Sequence, residues 1–351
     1  MSGGVAFEAE HDEFRASFRT FVEREAAGGD FFEQAGDYGF LGVQAPEEFG
    51  GGAVDDCRFA VVAAEELMRA GLTGAGLSFV THVGVAIPWL LEHADADRQA
   101  RSLPGLVSGK QLAAVAHSEV SAQQAPVGAR LDGVLSAVVN AASASLLLVP
   151  VRGEDGASAV AIVDLDAAGA SREIRPDVVG TRGAGLADIR LDGVVVADGD
   201  IHAGDALDRL WRAEQLWTAV VALAGARTVL DWTIDYVQQR KVFGRPVASF
   251  ENTRYVLGGV LAEIISVEAL VSACVLDQLG HRLDARSAAA ARLRAAELFA
   301  LAADQGLQLH GGYGYMREYP ISEAYADSRH LRLQGGGNAA MREILAVELG
   351  L

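Results

Sequence analysis

The spacing of apolar residues changes twice along this 351-residue chain, and the change limits the folds open to it. From about residue 8 to residue 109, apolar residues recur every three or four positions, as amphipathic helices require. Between about 112 and 206 they form short runs separated by turn residues, which indicates β-strands. Long helical patterns then return. We therefore predict an α+β protein with a helical domain over 1–111, a β domain over 112–205 and a helical bundle over 206–351.

Composition and charge narrow the classes of function. The formal net charge of −18 argues against a nucleic-acid-binding protein, whose usual footprint is a basic surface. Cys57 and Cys274 lie far apart without metal-like spacing, so we expect a reducing cytoplasm. No uninterrupted apolar run approaches about 20 residues, so no membrane span is expected. His117, His310 and His330 share no ligand-like spacing, which favours core or capping roles over metal binding.

Two C-terminal segments carry the most specific patterns. Residues 308–320 read Gln-Leu-His-Gly-Gly-Tyr-Gly-Tyr-Met-Arg-Glu-Tyr-Pro, and residues 240–246 read Arg-Lys-Val-Phe-Gly-Arg-Pro. Both resemble signatures of the acyl-CoA dehydrogenase family, and weaker similarity extends over nearly the whole chain. The resemblance implies an N-terminal helical domain, a middle β domain and a C-terminal four-helix bundle. An isolated Gly-Gly pair would indicate only a helix-ending turn, but the match of the whole string favours the family motif.

The resemblance also implies a chemistry and a cofactor. In this family a carboxylate removes the proton α to an acyl-CoA thioester carbonyl while a hydride passes from the β carbon to FAD. Each FAD lies across a subunit interface, with its adenosine and diphosphate end held by Arg-x-x-Phe and Gln-x-x-Gly-Gly of the neighbouring subunit. These cofactor-binding positions are kept here as Arg240, Phe243, Gln308, Gly311 and Gly312.

The family's flavin-side positions are altered. Gly335 stands where the resemblance places the catalytic glutamate, and Leu135, Ala137 and Val139 replace a lysine, a tryptophan and a threonine. The loop at 118–125 lacks the family's proline and glycine. We therefore expect a subunit that lends its C-terminal half to the FAD of a homologous partner, in an α2β2 heterotetramer, while its own active site is defective.

Glu214 leaves an alternative open. Some family members carry their base on the helix that precedes Arg-x-x-Phe-Gly, and Glu214 lies 26 residues before Arg240 (240 − 214), which agrees with that register. A homo-oligomeric acyl-CoA or acyl-carrier dehydrogenase with Glu214 as its base is therefore the second hypothesis. The non-catalytic alternative is that Glu214 is a solvated charge on an amphipathic helix. A flavin-free binding scaffold is the third hypothesis.

Two further expectations concern the C-terminal helices. Apolar residues at 216–223 and 257–271 extend beyond a single stripe, which predicts that these helices are buried in the core of an oligomer. Asn338 is suitably placed to cap the last helix.

Overall fold

In the computed structural model, which describes residues 5–25 and 30–351, the N-terminal part is helical. Phe18, Phe21 and Val22 on the first helix are buried in one core cluster with residues of the following helices. Asp95 caps the sixth helix by accepting a hydrogen bond from the Arg98 backbone amide. The helices are α1 (Ala9–Glu25), α2 (Phe31–Asp37), α3 (Arg58–Arg69), α4 (Thr73–Val80), a π-helical segment (Thr81–Ala86), α5 (Ile87–His93) and α6 (Ala96–Val107).

The middle part is a sheet with its own core. The strands are β1 (Ala113–Val115), β2 (Val120–Gln124), β3 (Ala129–Val138), β4 (Leu146–Gly153), β5 (Ser158–Asp164), β6 (Ala170–Ile174), β7 (Ala187–Val196) and β8 (Ile201–His202). They follow the order β6-β7-β3-β2-β4-β5-β8, with β1 paired to β4. Strand β4 is buried along most of its length, whereas β7 alternates buried and exposed residues, as expected of a strand with one solvent-exposed face.

The C-terminal part consists of helices around a central, buried α7. Residues 214–226 of α7 are all buried. The elements are α7 (Ala206–Gln239), a hairpin of β9 (Lys241–Val242) and β10 (Arg245–Pro246), α8 (Glu251–Leu279), α9 (Ala285–His310), α10 (Pro320–Leu331) and α11 (Gly337–Val347). The predicted fold class, with helical, sheet and helical parts in that order, is confirmed.

Two expectations for the C-terminal helices need correction. The apolar residues at 216–223 are buried inside the single chain, so they do not require an oligomer to cover them. The last helix begins at Gly337, and its N-cap residue is Gly336, so Asn338 lies inside the helix rather than at its cap. Gly335, Gly336 and Gly337 all have positive φ, of 58°, 76° and 63°, which is why the helix starts on a run of glycines.

Helices in the described part of the chain reach the length and apolar composition of a membrane span, although the sequence pattern predicted no such span. Two stretches in the described part of the chain, Thr73–His93 and Glu251–Leu279, are long and apolar enough to cross a bilayer by those criteria alone. In the first stretch, 83 % of an 18-residue apolar window is buried inside the fold, as in a core helix. In the second, only 39 % of the corresponding window is buried, so much of its apolar surface faces outward.

Candidate functional site

Glu214 lies on α7 at the centre of a buried polar cluster. Its side chain is 4 % exposed, so the expectation of a solvated surface charge is wrong. Thr218 Oγ1 and Gln334 Nε2 donate hydrogen bonds to Glu214 Oε1 over 3.1 Å and 2.8 Å. Arg292 Nη1 lies 3.8 Å from Glu214 Oε2. His117 Nε2 lies 2.7 Å from Glu214 Oε1 but is not aligned for a hydrogen bond, so we treat this contact as an ion pair.

The electrostatics of the cluster favour an ionised Glu214. Burial alone raises the pKa of Glu214, but the charges of His117 and Arg292 and the hydrogen bond from Thr218 outweigh it and hold the pKa at about 2. Burial, together with a smaller effect of the His117 charge, lowers the pKa of the nearby His330 to about 4. A carboxylate in this environment serves as a counter-ion and is a weak acceptor of a substrate proton.

Gly335, the position of the family's missing glutamate, belongs to the same cluster. A Cβ atom on Gly335 would lie 2.8 Å from His117 Cδ2 and 3.2 Å from Arg292 Nη1. Gly335 in the loop and Glu214 on α7, the two positions considered for the base, therefore lie in the same cluster. Sequence reasoning missed Arg292, which occupies an alanine-rich helix without any motif, and assigned His117 only a core or capping role.

Several polar atoms of the cluster have no hydrogen-bond partner. Among residues 5–25 and 30–351, His117 Nε2, Arg292 Nε, His330 Nε2 and Gln334 Oε1 are buried and find no hydrogen-bond partner. These atoms surround the Glu214 carboxylate with polar groups, whereas the reactive carbons of an acyl chain need apolar neighbours. A cleft of about 520 Å³ lies elsewhere, between α2, the start of α4, the 182–185 loop and α10, and Glu214 does not line it.

The altered strand β3 offers few groups that would hold a flavin ring. Leu135 and Val139 are buried in the protein. Ala137 is exposed with a φ of 50°, and its backbone amide donates to Asp188 Oδ1 over 2.8 Å. All three side chains are apolar and lack the donors that their family counterparts present. The residues on this side therefore do not fit the cofactor that the resemblance implies.

The five predicted nucleotide-binding residues lie at one end of the C-terminal helices. Arg240 is the C-cap residue directly after α7, and Phe243 follows in the β9–β10 turn, where it is 92 % exposed with a φ of 52°. Gln308 is exposed near the end of α9, and Gly311 and Gly312 come directly after that helix. A Cβ on either glycine would meet no atom within 4 Å, so the space above them is open. We call these five residues the bundle-end surface.

Aromatic contacts hold the two halves of the bundle-end surface together. Arg240 Cζ lies 5.3 Å from the centre of the Tyr313 ring. One turn earlier on α7, Tyr236 stacks on His310 with ring centres 4.1 Å apart and donates a hydrogen bond to the His310 carbonyl. The ends of α7 and α9 are thus fixed side by side, and His310 has the core role expected of it.

Comparison with known proteins agrees with this architecture. Residues 8–110 match the family profile of the acyl-CoA dehydrogenase N-terminal domain, and residues 208–350 match that of the C-terminal domain. The chain belongs to the acyl-CoA dehydrogenase family. It is 28 % identical to the long-chain specific acyl-CoA dehydrogenase of Rattus norvegicus mitochondria, over 98 % of this chain and 87 % of the relative.

Solved structures of acyl-CoA dehydrogenases share the fold. An enzyme from Geobacillus kaustophilus is 25 % identical with a TM-score of 0.90, and the alignment covers 99 % of this chain and all of that one. A second, from Bacillus anthracis and complexed with FAD, has a TM-score of 0.87 at 22 % identity, over 98 % of this chain and 67 % of that one. The expected family is thus confirmed, and it is a family of FAD-dependent oxidoreductases.

The lowered pKa of Glu214 gives a prediction for stability against pH. The ionised carboxylate stabilises the fold above its unfolded pKa near 4.5, and this contribution is lost as the pH falls toward 2. Replacing Glu214 by glutamine leaves Arg292 buried without its carboxylate, so we expect a loss of roughly 3–5 kcal/mol at pH 7. Urea denaturation at pH 7, 5 and 3.5 should show that the difference in the free energy of unfolding between Glu214→Gln and wild type narrows below pH 4.5.

The exposed Glu343 provides the control, Glu343→Gln. A pH-independent difference would contradict the assignment.

Proposed function

We propose that this chain is a subunit of a heteromeric FAD-dependent acyl-CoA dehydrogenase. It supplies the bundle-end surface to the adenosine and diphosphate end of a homologous partner's FAD, and its own active site is inactive. One contrast carries the proposal: the surface that serves a neighbour is open and keeps its motif, whereas the site that would serve this chain is closed around Glu214.

The chemistry of the bundle-end surface suits an anionic dinucleotide. Arg240 offers a guanidinium, which pairs well with phosphate oxygens. The exposed Phe243 offers a flat face for a base, and the open backbone at Gly311 and Gly312 permits close approach. Lys241 and Arg245 are exposed in the same hairpin, so positive charge is concentrated here in a chain with a net charge of −18.

The chain's own site lacks the features of a working dehydrogenase. FAD supplies the hydride acceptor in this family, and the protein supplies a base on the opposite side of the acyl chain. Gly335 has no carboxylate, and Glu214 is sealed and held ionised by His117 and Arg292. Apolar side chains replace the family's polar groups on β3. A homo-oligomer would therefore join each open bundle-end surface to a deficient flavin side, and only a different partner completes the site.

Helix α8 supports an assembly. Tyr255, Leu261, Ile265 and Leu276 on this helix are 47–69 % exposed. A Cβ on Gly258 or Gly259 would meet no atom within 4 Å, so another helix has room to approach. An apolar helix face of this length is normally covered by a partner. We propose an α2β2 heterotetramer, in a reducing compartment such as the cytoplasm, where the buried Cys57 and Cys274 stay as thiols.

Co-expression with a homologous subunit that keeps the loop glutamate and the flavin-side strand tests the proposal. Size-exclusion chromatography with light scattering should give a heterotetramer that holds about one flavin per heterodimer, whereas the chain purified alone should be colourless. The reason is that each half of the cofactor site comes from a different chain. Full flavin occupancy of the chain alone, or a stable monodisperse monomer at micromolar concentration, would refute shared binding. A heterotetramer without flavin would favour the binding-scaffold hypothesis.

A second candidate function is catalysis by this chain with Glu214 as base. The favouring observation is that Glu214 contacts the residue next to Gly335, since Gln334 Nε2 donates to its carboxylate. The helix position thus reaches the place where the family's loop glutamate would act. For this function the cluster must open, because the carboxylate has to exchange His117 and Arg292 for an acyl chain.

A further inference from the structure

The Glu214 cluster joins segments of the β domain and of the C-terminal helices. His117 comes from the loop after β1, Glu214 from α7 and Arg292 from α9. Gln334 and Gly335 come from the loop between α10 and α11. We propose that the His117 side chain packs against Gly335 and thereby closes this chain's own catalytic site. In the closed site, Glu214 is the buried counter-ion of Arg292. This inference rests on the proposed function and adds how the site is kept closed.

The space around Gly335 supports the pairing. A Cβ on residue 335 would lie 2.8 Å from Cδ2 of the His117 ring and 3.2 Å from Arg292 Nη1. Contacts below 3.0 Å force a shift of the neighbour or of the backbone. A glutamate side chain at this position would therefore have to displace the imidazole. A glycine at 335 and the His117 ring beside it are thus compatible with each other, whereas a carboxylate there is not.

The backbone of the loop has adapted as well. Gly335 has φ 58° and ψ 42°, and Gly337 has φ 63° and ψ −159°, a combination that only glycine adopts readily. A Cβ on Gly337 would lie 2.4 Å from the Arg332 carbonyl oxygen. The family's Glu-Gly-Thr sequence thus does not fit this loop path. Restoring the glutamate alone is not expected to restore a base.

Charge explains why Glu214 persists in a closed site. Arg292 is 1 % exposed, and a buried guanidinium needs a carboxylate and several acceptors. Glu214 provides the charge, and the Gln334 carbonyl accepts from Arg292 Nη2. The His117 ring also lies beside that of Trp211, with ring centres 5.9 Å apart and an angle of 20° between the ring planes. The cluster therefore links the β domain to the helices through ionic contacts.

A double-mutant cycle on the full chain tests the pairing of His117 and Gly335. We expect Gly335→Ala to lower the melting temperature by about 4–10 °C in wild type, because it adds crowding to backbone strain. In the His117→Ala background the contact at 2.8 Å is gone and the one to Arg292 Nη1 at 3.2 Å remains, so the same change should lower it by about 2–4 °C. Gly50→Ala is the matched control, because Gly50 has φ 86° and ψ 17° and its Cβ would meet only Val107 at 3.8 Å. It measures the strain without the crowding.

The outcomes separate this inference from the proposed function. Equal penalties for Gly335→Ala in both backgrounds would overturn the pairing, whatever the flavin content of the complex. If His117→Ala does not fold, His117→Asn frees much of the space while keeping a polar group and takes its place in the cycle. Replacing His117 should also change the fluorescence of Trp211, measured against a Trp211→Phe background, because the stacked imidazole is removed. An unchanged spectrum would place the ring elsewhere. The melting temperatures are measured on the isolated chain and the flavin content on the complex. The pairing of His117 and Gly335 and the shared binding of FAD can therefore be refuted independently.

Discussion

Replacing Arg240 by alanine is expected to weaken retention of FAD by the assembled complex about 10- to 100-fold. The substitution removes a charge-assisted contact to an anionic cofactor, and such a contact contributes roughly 1.5–3 kcal/mol. Each 1.4 kcal/mol corresponds to a factor of ten in affinity. Flavin absorbance after dialysis, at a series of complex concentrations, measures the effect. The substitution is made in the chain that is proposed to bind no flavin of its own, so a loss of FAD would reveal binding across the interface.

The control for this experiment removes the same charge from another exposed site. Arg101 lies exposed on α6 in the N-terminal part, and its replacement by alanine should leave flavin content unchanged. A similar loss for both variants would indicate a general effect of charge. Undiminished FAD in the Arg240→Ala complex would contradict the proposed role of the bundle-end surface.

The bundle-end surface was predictable because each of its halves is short in sequence. Arg240 and Phe243 lie three residues apart, and Gln308, Gly311 and Gly312 lie within five. Such motifs are visible without knowledge of long-range packing. The structure adds the contact between Arg240 and Tyr313, which brings the halves side by side. Element types were predictable for a similar reason, since periodicity is a local property.

The Glu214 cluster was not predictable from local patterns. Glu214 and Gln334 are 120 residues apart, and nothing near Arg292 in the alanine-rich α9 marks it as a buried charge. The solvated alternative for Glu214 assumed an amphipathic α7, but this helix is surrounded by other elements and is buried on all sides around Glu214. Whether a polar residue on a central helix faces water depends on the packing of distant segments.

The oligomer expectation shows the same limit. Apolar residues at 216–223 and on α8 looked equivalent in sequence, because both exceed a single stripe. In the structure the first group is covered by the chain itself, whereas Leu261, Ile265 and Leu276 remain exposed. Composition predicts that a helix is apolar on several faces, but the arrangement of the neighbouring helices decides which of those faces a partner must cover.

The sharpest distinction between the two candidate functions is the turnover of the complex after Glu214→Gln. Glutamine keeps the shape and hydrogen bonds of the side chain but is not basic. A catalytic Glu214 would therefore lose at least about 10²-fold in turnover. We expect turnover to change by less than about twofold, because the cluster holds Glu214 as a counter-ion and the pKa of about 2 makes it a poor base. Acyl-CoA-dependent reduction of an artificial electron acceptor measures the rate.

Two measurements make the result decisive. Replacement of the partner's own catalytic glutamate should reduce turnover of the same complex by at least about 10²-fold, which shows that the assay reports base catalysis. Circular dichroism and flavin absorbance at the assay temperature establish that the Glu214→Gln complex is folded and retains FAD, since the substitution also costs stability. If turnover collapses while FAD stays bound, this chain houses the active site, and the buried cluster is a resting state that substrate must open. If turnover persists, Glu214 serves only to balance the charge of Arg292 in a closed site.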